Sequence, residues 1–348
     1  MSASFSHVLS MTDSIGMFEH ADHVEPRREH GYCTDDVARL LIVAVREPDE
    51  SQAMHELRWT AFRFLTEAQS ATGRTRNRRD ADGRWRGRYG VEDCWGRSLW
   101  AFGTAARRTA DPEMRSSASS YFDLGAKQRS PHRRAMAFAA LGAAEVAEHD
   151  MDRARVRDLL ADTVTTIGPL STERDWPWPE PRLSYANAAL PEALIAAGHI
   201  LDRPDVLDDG LRLLRWLLAR ESVDGHLSPT PVGGACRGDG SRRFDQQPIE
   251  VAAMADACAR ALAVTGDGEW QRGIDLAIGW FAGNNDVGAV MCDVDTNGGY
   301  DGLTPTGPNL NQGAESTLAL ISTMQYAPRQ TAGALRHAAG TTQGWSTG

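Results

Sequence analysis

One phrase recurs along this chain in altered form: a polar, acid-rich turn that runs directly into a small-residue apolar helix. The clearest copy is Gly31-Tyr32-Cys33-Thr34-Asp35-Asp36, followed by the apolar run Val37 to Val45. A second is Glu92-Asp93-Cys94-Trp95-Gly96-Arg97, leading into Ser98-Leu99-Trp100-Ala101-Phe102-Gly103. Further copies open at His132-Arg133-Arg134, at Ser184-Tyr185-Ala186-Asn187, at Asp245-Gln246-Gln247-Pro248-Ile249-Glu250 and at Asn311-Gln312-Gly313-Ala314-Glu315-Ser316. The starts lie roughly 40 to 65 residues apart, the spacing of two-helix units that close into an array.

Between the starts lie one-sided helices. Met54, Leu57, Ala61, Phe64, Leu65 and Ala68 repeat at i, i+3, i+4 and predict an amphipathic helix over 51–70. The same spacing predicts partners over 151–167, 204–220 and 268–282, with a polar-faced partner over 111–125 and a weak last partner over 329–339. Inner helices are expected over 34–46, from 93, and over 132–148, 185–201 and 247–264, with the last starting near 314. Their Ala and Gly let neighbouring backbones approach. The expectation is an all-α toroid of helical hairpins, one domain over 1–348, with 1–30 covering one rim and 340–348 a frayed tail. Short hairpins are expected only near Trp85 to Tyr89 and Val287 to Met291.

Composition restricts the function. The formal net charge of -10 argues against nucleic acid, which calls for a basic face. No apolar run approaches the roughly 18 residues of a membrane span. With no basic-then-apolar leader and five dispersed cysteines, the expected compartment is the cytoplasm.

Parallel inner helices gather their amino ends at one mouth. That would bring Asp35, Asp36, Glu92, Asp93, Tyr185, Gln246, Glu250, Asn311 and Glu315 toward one ligand. The connecting loops add Trp85, Trp176, Trp178, Glu180 and Asp301. Indoles, acids, amides and arginines suit a sugar, whose faces stack and whose hydroxyls need polar partners. Each acid also has a plainer explanation, since carboxylates favour helix amino ends by ~0.3–1 kcal/mol. The arginines between Arg74 and Arg88 read as a solvated loop, with an anion clamp as the sharper alternative. Asp293, Asp295 and Asn297 open like a calcium loop, but the twelfth position is Thr304 instead of Glu, so an Asx turn is the preferred reading. His20 and His23 are weak metal ligands. No metal or other cofactor is expected, and no nucleotide motif is present.

The long phrases around Asp35-Asp36, Glu92-Asp93, Gln246-Gln247 and Asn311-Gln312 resemble an uncharacterised bacterial family of six-hairpin glycosidase-like proteins. Its members are often encoded beside, or fused to, glycosyltransferases, which implies a functional link to one. The resemblance covers nearly the whole chain and implies an (α/α)6 barrel. That superfamily holds inverting hydrolases, lyases, phosphorylases and epimerases, so fold alone does not choose among them.

The resulting expectation is an inverting glycoside hydrolase acting on an oligosaccharide. Asp36 or Asp93 would be the base, favoured by a helix amino end, and Glu315 or Glu180 the proton donor. Trp85, Trp95, Trp176 and Trp178 would stack sugar faces. Arg39, Arg97, Gln246, Gln247, Asn311 and Asp301 would hold hydroxyls, with Tyr32, Asp35, Glu92, Tyr185 and Glu250 beside them. One alternative is an epimerase of the N-acyl-glucosamine 2-epimerase type, whose paired helical histidines would have to be His132 and His199. Another is a non-catalytic glycan-binding partner of a glycosyltransferase. A lyase would pair a base such as Tyr32 with Arg39.

Overall fold

The computed structural model describes residues 3–148, 153–240 and 243–328. The helices are α1 (Ser6–Ser10), α2 (Thr34–Arg46), α3 (Gln52–Ala68), α4 (Asp93–Arg108), α5 (Pro112–Gly125) and α6 (Arg133–Ala147). They continue as α7 (Ala154–Ile167), α8 (Ala189–Ile200), α9 (Pro204–Arg220), α10 (Pro248–Thr265), α11 (Glu269–Phe281) and α12 (Ala314–Met324). The even-numbered helices from α2 to α12 pack in sequence, and α12 packs back on α2, so they close a ring. The outer helices α3, α5, α7, α9 and α11 each pack on the inner helix that precedes them. The expected weak partner over 329–339 and the tail over 340–348 lie outside the described residues. Within them α12 is flanked by α1 and α11.

Local chemistry sets the helix ends. Ser51 accepts from the Met54 N–H at the start of α3, and Asp111 accepts from Glu113 and Met114 ahead of Pro112 at the start of α5. Gly266 ends α10 in the left-handed conformation with φ 69°. The inner ring is tightest between α4 and α6. A Cβ on Gly96 would lie 2.2 Å from the Ala135 carbonyl oxygen, and one on Gly142 would lie 2.2 Å from that of Leu99. The small residues are therefore a packing requirement of a ring walled on both sides.

Two expected boundaries moved. The helix foreseen from 185 begins at Ala189. The intervening turn is held by Asn187, whose Oδ1 accepts from the Ser184 N–H at 2.9 Å, and Ala186 has a φ of 44°. Such a side-chain bond competes with the helix for the backbone donor. The expected hairpin near Val287 to Met291 is replaced by a loop wrapped on Asn285, whose side chain donates to the Ala289 carbonyl and accepts from Val287 and Ala289. The Trp85 segment does form a hairpin: Trp85–Arg86 pairs with Arg78–Arg79, which pairs with Tyr32–Cys33 just before α2. A further hairpin joins Gly302–Thr304 to Gly307–Asn309.

Candidate active site

The amino ends of α2, α4, α10 and α12 open on one cavity of about 560 Å³. Asp35, Asp36 and Arg39 come from α2, Asp93 and Arg97 from α4, Glu315 and Ser316 from α12. Gln247 and Ile249 from the α10 start, Tyr185 from the turn before α8 and Asp301 from the last long loop complete its wall. Glu19, His20, Arg78 and Asn309 close the rim.

Arg39 organises the floor. Its two terminal nitrogens donate to Asp36 Oδ1 at 2.5 Å and to Glu315 Oε2 at 2.6 Å. The two carboxylates differ in their surroundings, since the Asp36 side chain is 5% exposed and that of Glu315 is 40% exposed. Burial outweighs the Arg39 charge and pushes the Asp36 carboxyl up to about 7. Arg97 is buried, its guanidinium lies 3.9 Å over the Phe138 ring, and its Nε is 3.4 Å from Asp35 Oδ1. Burial and the neighbouring Arg39 charge both pull its pKa down. Tyr185 is 46% exposed and faces Asp93; partial burial, then the Asp93 charge, raises the phenol above its ordinary value.

The other foreseen residues fall into two groups. Glu180 and Glu92 line an adjoining cavity, where Glu180 accepts from the Arg134 guanidinium at 2.9 and 3.1 Å. With both oxygens engaged, Glu180 is tied to a structural cation. The remainder lie off both cavity walls. Tyr32 is fully buried, donates to Asp13 at 2.7 Å and packs on Phe18 and on Phe64 of α3, away from the cavity. Trp95 is also fully buried and donates to the Gly125 carbonyl at 3.1 Å. Trp176 and Trp178 pack on Trp216, and Trp85 packs on Phe64. The indole platform expected for a sugar is thus absent from the cavity walls among the described residues, since each ring finds more apolar contact in the outer layer. Gln246 is spent on Asp286 and Trp280, and Asn311 accepts from the His23 N–H. Glu250 lies beneath the site, where it accepts from the backbone of Ala186 and Asn187; burial pushes it up to about 8.

The arginine loop is dispersed rather than clustered on one anion site. Arg78, Arg79, Arg84 and Arg86 pair with Glu19, Glu67, Asp82 and Asp80. Asp293 serves its own turn, accepting from Asp295 and Thr296, and it also accepts from Gln312. Among the described residues, Glu19, Cys33 and Asp36 form the one group whose donor atoms approach within 4.8 Å. Its carboxylates already pair with Arg78 and Arg39, and burial first among its causes holds the Cys33 thiol protonated. No described helix is long and apolar enough to cross a membrane.

Sequence reasoning did not single out Glu19 or Arg134 for the site, and it weighed His20 only as a metal ligand. Glu19 and His20 belong to the leading segment, which was expected to cover one rim, but its lack of periodicity did not show which of its residues reach the cavity. Arg134 carried a signal, because it occupies the opening phrase of the third inner helix.

By sequence, no family model matches the chain and no curated protein does. Solved structures do match it over nearly their full length. One is a sugar epimerase from a ruminal bacterium, with TM-score 0.68, 11% identity, 94% of this chain and 96% of that one covered. Another is the cellobiose 2-epimerase of Spirochaeta thermophila, with TM-score 0.65, 14% identity and coverages of 91% and 92%. A third is a family GH76 α-mannanase from Bacteroides thetaiotaomicron, with TM-score 0.61, 12% identity and coverages of 92% and 93%. With its closed inner ring and these likenesses, the chain has an (α/α)6 toroid fold.

Proposed function

We propose that this chain is a carbohydrate-processing enzyme, and within that class an inverting glycoside hydrolase. The observation that carries the reading is a pair of acids in one cavity with opposed surroundings. Asp36 is buried and pushed up to about 7, while Asp93 stands at the start of the neighbouring inner helix, facing Tyr185. A carboxyl held protonated near neutral pH is the donor that glycosidic cleavage requires, and an ionised partner activates water.

This reverses the role first expected of Asp36. A helix amino end favours the ionised form by only ~0.3–1 kcal/mol. Displacement from 3.8 to about 7 corresponds to about 4 kcal/mol the other way. Desolvation therefore decides, and Asp36 becomes the donor with Asp93 as the base. Glu315 shares the Arg39 guanidinium and sets the charge around Asp36. Arg97, Asp35, Gln247 and Asp301 are placed to hold hydroxyls.

An epimerase is the second reading, supported by the full-length likeness to sugar epimerases. Among the described residues, its paired helical histidines have no counterpart on the cavity wall. The imidazole at the cavity is His20, from the leading segment; His132 lines the adjoining cavity and His199 ends α8.

Incubation with manno-, gluco- and galacto-oligosaccharides, read as new reducing ends, tests hydrolysis. Asp36→Asn and Asp93→Asn should each lower turnover by ~10²-fold or more. Wild-type rates in both variants would remove this site from the reaction. Deuterium uptake at a sugar carbon from heavy water would select epimerisation, and binding without any product would select a glycan-binding module.

A further inference from the structure

The main cavity does not end at Tyr185. Asp35, Asp93 and Tyr185 also line a second cavity, again about 560 Å³, so the two chambers adjoin at these three side chains. The second chamber lies between the starts of α4 and α6 and under the loop that carries Thr75, Asn77 and Arg88. Each chamber alone has the size of a small-molecule site, ~300–1,000 Å³.

Its walls hold polar groups without a partner. Thr75 lines the chamber, but its hydroxyl is buried beneath the surface and offers nothing to a ligand. Arg88 and His132 present exposed side chains on the same wall, and neither has an ion pair or side-chain hydrogen bond to a described residue. Glu92 and Asn77 add acceptors beside these donors. Arg134 and Glu180, in contrast, satisfy each other. A lining of mixed sign that offers donors and acceptors fits a hydroxyl-rich, uncharged group better than an anion.

We propose that the second chamber is a subsite for the rest of an oligosaccharide whose reacting sugar occupies the main cavity, with the junction at Asp93 and Tyr185. This rests on the carbohydrate-enzyme reading. It makes the substrate at least a disaccharide and assigns Arg88 and His132 to its recognition through hydrogen bonds, without aromatic stacking.

The test compares disaccharides with tri-, tetra- and pentasaccharides of glucose, mannose and galactose on the wild-type chain, His132→Trp and Arg88→Ala. His132 is exposed at the start of α6 and makes no side-chain cap, so a bulky ring there fills the chamber without opening the helix. Thermal melts confirm that each variant is folded. For the wild type, kcat/KM should rise about tenfold or more with chain length, and in His132→Trp the long-to-short ratio should fall toward one. An unchanged ratio in His132→Trp, or no length dependence in the wild type, overturns the subsite while leaving the enzymatic reading intact. If no sugar of the series is turned over, that reading fails. Calorimetric binding of the same sugars then decides the subsite: length-dependent affinity lost in His132→Trp supports it, and equal affinity in both proteins overturns it.

Discussion

Arg39, in the second turn of α2, donates to Glu315 at the start of α12 across 276 residues of sequence, at 2.6 Å. The contact ties the first inner helix to the last at the floor of the cavity. It exists only because the ring closes.

Replacing Arg39 by Met should therefore cost stability and move a pH profile together. Removing one partner of a buried ion pair typically costs about 3–5 kcal/mol. Loss of the guanidinium also takes away the charge that holds Asp36 down, so its pKa rises further above 7. Urea denaturation and a pH–rate profile check both. A variant as stable as wild type, with an unshifted basic limb, would contradict the placement of Arg39.

Asp36 itself predicts the shape of the wild-type profile. A proton donor pushed up to about 7 is competent below that value and loses its proton above it. The rate should fall as pH rises through about 7, and Asp36→Asn should abolish both the rate and this limb. Activity still climbing at pH 9 would assign the donor elsewhere.

Stability should also fall from pH 5 to pH 8. Burial pushes Glu192 and Glu221 up to about 7 and Glu250 up to about 8, against an ordinary value of 4.5. Across that window the folded chain keeps protons that the unfolded chain has released. Each unit of pH then costs stability, and the loss levels off above the folded values. Glu145, held down to about 2 by its arginines in spite of burial, acts only below 4.5. The urea midpoint should be lower at pH 8 than at pH 5, and Glu221→Gln should flatten part of the slope. An equal or higher midpoint at pH 8 would refute this account.

Gly142→Ala sets two effects against each other. On an isolated helix, alanine gains about 1 kcal/mol over glycine. In this ring its Cβ would meet the Leu99 carbonyl at 2.2 Å, a backbone contact that cannot swing aside. Overpacking of this kind costs about 1–3 kcal/mol. Denaturation should show net destabilisation, and a stabilised variant would mean that α4 and α6 stand further apart.

The repeated opening phrase carried most of the architecture in the sequence. Five outer helices matched their periodic stretches to within a few residues, because a one-sided apolar stripe has only one way to face a core. Among the acids, Asp35, Asp36, Asp93 and Glu315 were foreseen as a group from the same phrase and line one cavity. The tryptophans were misplaced for a physical reason. A sequence tells that an indole seeks cover, yet Trp95 and Trp178 found it within the protein and not against a ligand.

The order of inner and outer helices, the small-residue stripes and the acid-rich helix starts were settled by the chain itself, since they follow from local periodicity and backbone sterics. Three things came only with the tertiary structure: the sharing of Arg39 between Asp36 and Glu315, the desolvation that pushes Asp36 up to about 7, and the second chamber beside Tyr185. Each depends on how much water the closed ring excludes and on which distant groups it brings together, and neither quantity is written in residue spacing.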